Sequence, residues 1–425
     1  MKRPLVIKFG GTSVGDGAAF LRAASIAAEA AQDRPVAVVV SAMNGTTDTL
    51  LGLAEATTDP STRTSTTEVS LSESHRSLAN RHLRAACEAV PGKFLPSVEE
   101  RLRAILGRLI RVVNAPADNP AARKDAIVSF GERLSAEILA GAIKGFGASA
   151  AVVPSDPVAT NSGFGEAEVL AEETRRRARR YVRPLLDMGS VVVVPGYVGR
   201  APDGAVTTLG RGGSDLSATV LGHALRSREV WIMSDVDGVL EADPRLIPNA
   251  APIQHLSYRE ATRFATLGAR ILHPKTIAPA AAAGIEVCVK STFNPDSLGT
   301  RISGREDNLG VQGVVLCCGL SLTHVPPEDA ENVLCVLGAE AGNLKVLAES
   351  TPADVAAVVC VGAPTDGDIL DGLRCLHEAG VRPLFAGNTS TGLLFAVTAR
   401  NAENALRTLH TGLISTVSAD AKEVA

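Results

Sequence analysis

The sequence of 425 residues has almost no net charge, −4 at neutral pH from 42 basic and 46 acidic side chains. A balance that close gives no electrostatic reason to expect nucleic acid or an anionic membrane as the main partner, so small molecules become the default ligands. Apolar runs long enough to span a bilayer are missing. The opening stretch MKRPLVIKFGG has two basic residues, Lys2 and Arg3, but the apolar run between them and Lys8 is too brief to form the core of a secretory signal. Cysteine pairs with metal-ligand spacing are missing as well. The seven cysteines, Cys87, Cys288, Cys317, Cys318, Cys335, Cys360 and Cys375, are odd in number and show no CxxC. They read as reduced, buried thiols of a cytoplasmic protein.

What is present is an alternation. LVIKF, PVAVVVSA, SVVVVPGYVG and VWIMSDVDGV are short runs rich in Val and Ile, bounded by Gly, Pro, Ser or Asp, with helical patterns between them. Such runs predict buried parallel strands joined by crossover helices, in a sheet that is covered on both faces and binds ligands beyond its strands' carboxyl ends. The length predicts about two domains. A Thr/Ser-rich segment and two helical runs interrupt the alternation from about 57 to 124, an excursion from the sheet. STFNPDSLGTRISGREDNLG, after Lys290, reads as a linker, which sets a first domain at 1–300 and a second region at 301–425. In that region the pattern becomes strand, helix, strand, strand, helix. It is clearest from VAAVVCVGA to NAENALRTLHTGL, and a shorter, less regular copy occupies about 313–349.

Several strand ends carry chemistry. KFGGTSVG, from Lys8 to Gly15, joins a strand to a helix. Glycines there let backbone N–H groups approach an anion, and Lys8, Thr12 and Ser13 turn a bare turn toward a phosphate cradle. The order is not that of a Walker A loop, whose lysine follows its glycines. SAMNGTTD offers the hydroxyls of Ser41, Thr46 and Thr47, which could equally cap a helix. SFGERLSA places Glu132 and Arg133 at a helix start, where Glu132 could serve only the helix dipole. The strongest local signal is TTLGRGGSDLSATVLGHAL. Arg211 lies among Gly210, Gly212 and Gly213, and Ser214-Asp215 opens a helix, which suits a carboxylate or phosphate; Asp215 as a plain N-cap would not explain the arginine. WIMSDVDGVLEADPRL does not fit a calcium loop and reads as a nucleotide-edge loop, and GARILHPKT adds Arg270, His273 and Lys275.

Taken in order, KFGGTSV, SAMNGTTD, SFGERLSA, GRGGSD, SDVDGVLEADPR and GARILHPKT resemble the aspartate kinases of the amino acid kinase family, over residues 1 to about 300. The resemblance implies a three-layer αβα sandwich with a mainly parallel sheet, ATP as phosphoryl donor and Mg2+ held mainly by phosphates. The trailing units look like paired ACT-like, ferredoxin-like α+β units, the first degenerate. It implies that Lys8, Gly10 and Gly11 hold the transferring phosphoryl group, with Thr12 and Ser13 nearby. Ser41, Thr47, Glu132, Arg211 and Asp215 would bind the amino acid, Arg211 on a carboxylate and Glu132 and Asp215 on the ammonium, with Asp215 also counted in the catalytic set. Ser234, Asp235, Leu240, Arg245 and the segment Gly268 to Arg270 would line the nucleotide.

The family commonly has Tyr where this chain has Leu240 and Lys where it has Arg270, which implies altered nucleotide affinity. The short Asp-x-Pro-Gly type loop of many amino-acid-responsive members is replaced by THVPPEDAENV. The expected activity is ATP-dependent phosphorylation of the aspartate side chain. The alternatives are a paralogue acting on another small acidic amino acid and a non-catalytic ACT-type sensor. An amino-acid effector at the ACT-like units and a homo-oligomer complete the expectation.

Overall fold

The computed structural model describes residues 2–56, 65–116, 118–267, 272–306, 310–321, 354–389 and 392–414. The chain divides into two compact units, one of residues 1–236 with 275–298 and one of residues 237–274 with 299–425.

The first unit is organised by β1 (Leu5–Phe9), β2 (Val36–Val40), β3 (Ala150–Val152), β4 (Val191–Pro195), β7 (Glu229–Ser234) and β9 (Glu286–Ser291). They pair in the order β3-β4-β2-β1-β7-β9, and every pairing is parallel. Side-chain parity assigns the two faces. Leu5, Ile7, Phe9, Val36, Val38, Val40, Val191 and Val193 share one core with helices α1 (Gly17–Asp33), α3 (Ser65–Ala89), α4 (Leu95–Asn114) and α6 (Phe130–Gly145). The intervening Val6, Val39, Val192 and Val194 are also buried, on the opposite face, where α9 (Gly213–Leu225) packs on β1, β2 and β7. Burial on both faces is why these strands are almost unbroken Val and Ile rather than alternating with polar residues. Lys8 has the parity of Val6, so it projects to the α9 side.

The excursion after α2 (Thr46–Glu55) consists of α3, α4 and α5 (Pro120–Val128). Its anchor is the stripe Val98, Leu102, Ile105, Leu106, Leu109 and Val113 on α4, spaced to keep one face inward. Beyond α6 come α7 (Ala171–Arg177), α8 (Arg183–Asp187) and the hairpin of β5 (Val198–Arg200) with β6 (Val206–Thr208), which leads directly into α9.

In the second unit β8 (His255–Ser257) pairs in parallel with β10 (Thr300–Ser303), and α10 (Tyr258–Thr266) is closed by a capping box of Ser257 and Glu260. An antiparallel sheet of β11 (Gly310–Ser321), β12 (Asp354–Ala363), β13 (Phe385–Thr389) and β14 (Gly392–Thr398) runs in the order β11-β12-β14-β13. The helices Asp366–Glu378 and Ala402–Leu413 cover it over a core that includes Val358, Cys360, Phe395, Leu406 and Leu409. β12, helix, β13, β14, helix is the ACT-like succession, with β11 occupying the edge beside β12. Most of the expected first copy, about 313–349, lies outside the described residues.

One expectation needs correction. The cysteines are not uniformly buried: Cys288 and Cys360 are, Cys317 and Cys375 are half-buried, and Cys87 is exposed. Cys87 lies in helix α3 rather than in a strand, so its exposure follows the helix's outward face. Cys318 and Cys335 carry no described side chain.

Candidate active site

At the carboxyl ends of β1 and β2 the chain makes two turns that interlock. Asn44 N–H donates to Gly11 O at 3.2 Å and Ser41 N–H to Phe9 O at 3.1 Å. A side chain at Gly11 would sit 3.1 Å from the carbonyl of Ala42, and one at Gly10 would sit 3.2 Å from Lys8 Nζ. Both approaches are tight, at Gly11 against backbone and at Gly10 against the end of the lysine side chain, so glycine keeps the turn open beside the cation.

Facing these turns is the start of α9. Its N-cap is Gly212 in the left-handed region, φ 73°, with no side-chain capping bond, so Asp215 is not the cap. Asp215 lies inside the first turn, where its Oδ1 is 2.6 Å from Lys8 Nζ. The same oxygen has no aligned hydrogen-bond partner, so the contact is an ion pair by distance and not a shaped hydrogen bond.

Between the turns and α9 lies a cleft of about 470 Å3. Its walls bring together Lys8, Gly11, Ser41, Thr47, Glu132, Arg211 and Asp215, drawn from β1, the β2–α2 turn, α6 and α9. Glu132 is the most informative of them. It is 3% exposed, its Oε1 accepts from Ala42 N–H at 3.2 Å, and its Oε2 is buried with no partner. Burial pushes its carboxyl up to about 8, against the weaker pull of the backbone N–H groups and of Arg133. Arg211 is exposed on the rim. The cleft thus sets a cation at the glycine turn, a guanidinium at the mouth and a buried carboxyl group against one another, charges complementary to those of a small zwitterion.

Other expected residues are placed differently. Thr12 and Ser13 form a single 3-10 turn, and Ser13 is fully buried, its hydroxyl 2.7 Å from that of Thr292. Ser234 ends β7 and its hydroxyl is 3.1 Å from Asp235 Oδ1. Gly10, Thr12, Ser13, Ser234 and Asp235 are not among the cleft's lining residues. Leu240 and Arg245 belong to the second unit, and the Arg245 guanidinium is gripped by Asp243 in the same turn. Arg270, with Gly268 and Ala269, lies outside the described residues.

Sequence reasoning missed Tyr197, which lines the cleft. It has φ 65°, a left-handed backbone rare for an aromatic residue, and a side chain at Gly213 would meet its ring at 2.7 Å. Burial raises its hydroxyl above the ordinary range in spite of a hydrogen bond with Thr208. The available signal was its place in PGYVG, straight after a central strand. Met43 and Asp48 also line the cleft and were likewise given no role.

The chain is similar to known proteins over most of its length. The chain is 33% identical over 305 residues to aspartokinase 2, chloroplastic, of Arabidopsis thaliana, covering 71% of this chain and 55% of that protein. It is 34% identical over 311 residues to lysine-sensitive aspartokinase 3 of Escherichia coli, covering 72% of this chain and 66% of that protein. The chain thus spans about half the length of the plant relatives it matches. Among solved structures, E. coli aspartokinase III in complex with aspartate and ADP (R-state) superposes with a TM-score of 0.73 at 25% identity, over 96% of this chain and 99% of that one. The same enzyme with lysine and aspartate (T-state) gives 0.76 at 25% identity, over 97% and 100%. Matched by the amino acid kinase family over residues 3–291, with Lys8, Glu132 and Asp215 gathered in one cleft, the chain belongs to the amino acid kinase family.

Proposed function

We propose that the protein is an aspartate kinase that transfers the γ-phosphoryl group of ATP to the side-chain carboxylate of L-aspartate, giving 4-phospho-L-aspartate. The observation that carries this reading is the unpartnered, buried Glu132 Oε2 in the same cleft as Arg211 and the Lys8–Asp215 pair. Glu132 and Asp215 receive the ammonium, Arg211 a carboxylate, and Ser41 and Thr47 the remaining polar atoms. The acceptor's other carboxylate is then directed at Lys8. An aspartate carboxylate is already ionised at neutral pH, so it needs no general base. What limits the reaction is repulsion between two anions, and Lys8 with the Gly10 and Gly11 amides relieves it where charge concentrates.

ATP would enter with Mg2+, which supplies further neutralisation of phosphate charge. Among the described residues the one group that could hold a metal is Glu229, Glu286 and Cys288, on β7 and β9 and outside the cleft's lining. We place the magnesium ion mainly on the phosphates it accompanies. Ser234, Asp235, Leu240, Arg245 and Arg270 remain our candidates for the nucleotide.

The deciding experiment is a coupled ADP-release assay over a panel of acidic amino acids. Turnover with aspartate is expected; turnover with only another acid would favour the paralogue, and none with any acid would favour the sensor. We further propose an amino-acid effector at the ACT-like sheet and a homo-oligomer joined through sheet edges, since the exposed edges of such units need covering. The crystallised lysine complex of E. coli aspartokinase III supports the first. Thermal shift with lysine, threonine and methionine, and light scattering across concentration, test the two. We also propose a reducing, cytoplasmic setting, from seven cysteines that are odd in number and show no CxxC spacing. No described helix is long and apolar enough to cross a membrane.

A further inference from the structure

A second cavity in the first unit has no part in the chemistry above. It has a volume of about 400 Å3 and is lined by Ser155, Glu173, Arg176, Arg177, Arg180, Tyr181 and Arg200. Five of these come from one helical run in which residues 173, 176, 177, 180 and 181 share a face by the i, i+3, i+4 rule. The run is α-helical to Arg177 and π-helical over Ala178–Val182. A π turn is rare and recurs at functional sites, since it gives up regular helical hydrogen bonding to re-aim side chains. The opposite face, Thr174, Ala178, Val182 and Leu186, is buried and fixes the run against the unit.

Two of the guanidinium groups are held in place by the protein itself. Arg177 donates from Nε to Glu173 Oε1 at 3.2 Å and from Nη1 to the carbonyl of Arg200 at 3.3 Å. Arg200 donates from Nε to Asp156 Oδ2 at 3.1 Å and from Nη1 to the carbonyl of Gly204 at 2.8 Å. Arg176 shares Glu173, and the Arg180 guanidinium lies 5.3 Å from the centre of the Tyr181 ring. Behind the wall, Asp156 is already divided between Arg200 and Arg133. Five guanidiniums thus meet two carboxylates, Glu173 and Asp156, and the surplus of positive charge is concentrated at one cavity of a chain whose net charge is −4.

We propose that this cavity binds a small polyanion bearing phosphate groups, such as a di- or triphosphate. Guanidinium forks match phosphate oxygens in pairs, and two of the four in the cavity are oriented beforehand, which lowers the ordering cost of binding. The surplus charge favours a multiply charged ligand over a single carboxylate. The volume lies in the range of small-molecule sites, and the negative chain as a whole disfavours a long nucleic acid.

The test is calorimetric titration with magnesium-free pyrophosphate of the full chain, of Lys8→Ala, and of Arg176→Ala/Arg180→Ala, whose changes are confined to exposed side chains. Saturable binding is expected in the first two and at least tenfold weaker binding in the double variant, with its melting temperature within about 2 °C of the unaltered chain. Equal binding by the double variant, or no binding by the full chain, overturns the site. Loss of all binding in Lys8→Ala assigns the anion to the other cleft and overturns it too. Tighter binding of a short DNA duplex than of pyrophosphate overturns the ligand class.

Discussion

Helix α6 presents two consecutive charged residues to two different surroundings, and they anchor opposite arrangements. Glu132 turns into the cleft and keeps a buried oxygen with no partner. Arg133 turns to Asp156, which is 2% exposed yet also receives Arg200. Burial acts on both carboxylates in the same sense, raising them. In Asp156 the two guanidiniums outweigh it and hold the group below its ordinary range, whereas in Glu132 nothing of comparable strength opposes it and the carboxyl rises to about 8. Depth alone does not distinguish a structural carboxylate from a receptor; the count of partners does.

The largest effect should come from removing the cation of the open arrangement. Lys8→Ala is expected to lower kcat by about a thousandfold or more, because its charge acts most strongly where phosphoryl negative charge is concentrated in the transition state. Activity within about tenfold of the unaltered enzyme in the ADP-release assay would remove Lys8 from the mechanism. In the closed arrangement, Asp156→Ala should cost about 3 kcal/mol in urea unfolding, since it strands two partly buried guanidiniums. A cost near zero would show that Asp156 is dispensable and would break the contrast.

Glu132→Gln should divide stability from binding. It is expected to raise the acceptor KM by about a hundredfold, since a buried carboxylate facing an ammonium is neutralised. It should also flatten the alkaline decline in stability. A carboxyl raised from 4.5 to about 8 on folding contributes stability that is complete below its unfolded value and is lost as pH rises through the folded value, on the order of a few kcal/mol in all. Melting curves from pH 5 to 9 should therefore fall in the parent and less so in Glu132→Gln. Asp156 has the opposite sign: its contribution is present above its unfolded value and is lost as pH falls through its depressed folded one. The smallest expected effect is in binding, where an ammonium favours ionised Glu132, so the acceptor KM should decrease severalfold from pH 6 to pH 8.

Much of the layout was legible in the chain. LVIKF, VAVVV and VVVVP read as strands covered on both faces, because they are short, rich in β-branched residues and apolar at almost every step, and parallel order followed from the helices between them. The glycine turn after β1 and the arginine among the glycines before α9 were legible for the same local reason, close backbone approach beside fixed charge. Tyr197 was not, since its only local mark is a position between glycines, and its place in the cleft goes with a positive φ and with a ring packed against Gly213 of α9. The arginine cavity was not legible either. ETRRRARRY reads as a solvated helical face until β5 brings Arg200 to the cavity, held from behind by Asp156.

The sequence by itself determined the strands, the turns that carry charge and the residue types able to meet phosphate and ammonium, because these follow from short-range sterics and hydrophobic pattern. Tertiary structure alone decided which charges meet. Lys8 and Asp215 lie more than two hundred positions apart in the chain yet 2.6 Å apart in space, while adjacent Glu132 and Arg133 face different sites. Ionisation responds to distance and burial, and neither quantity is fixed by order along the chain.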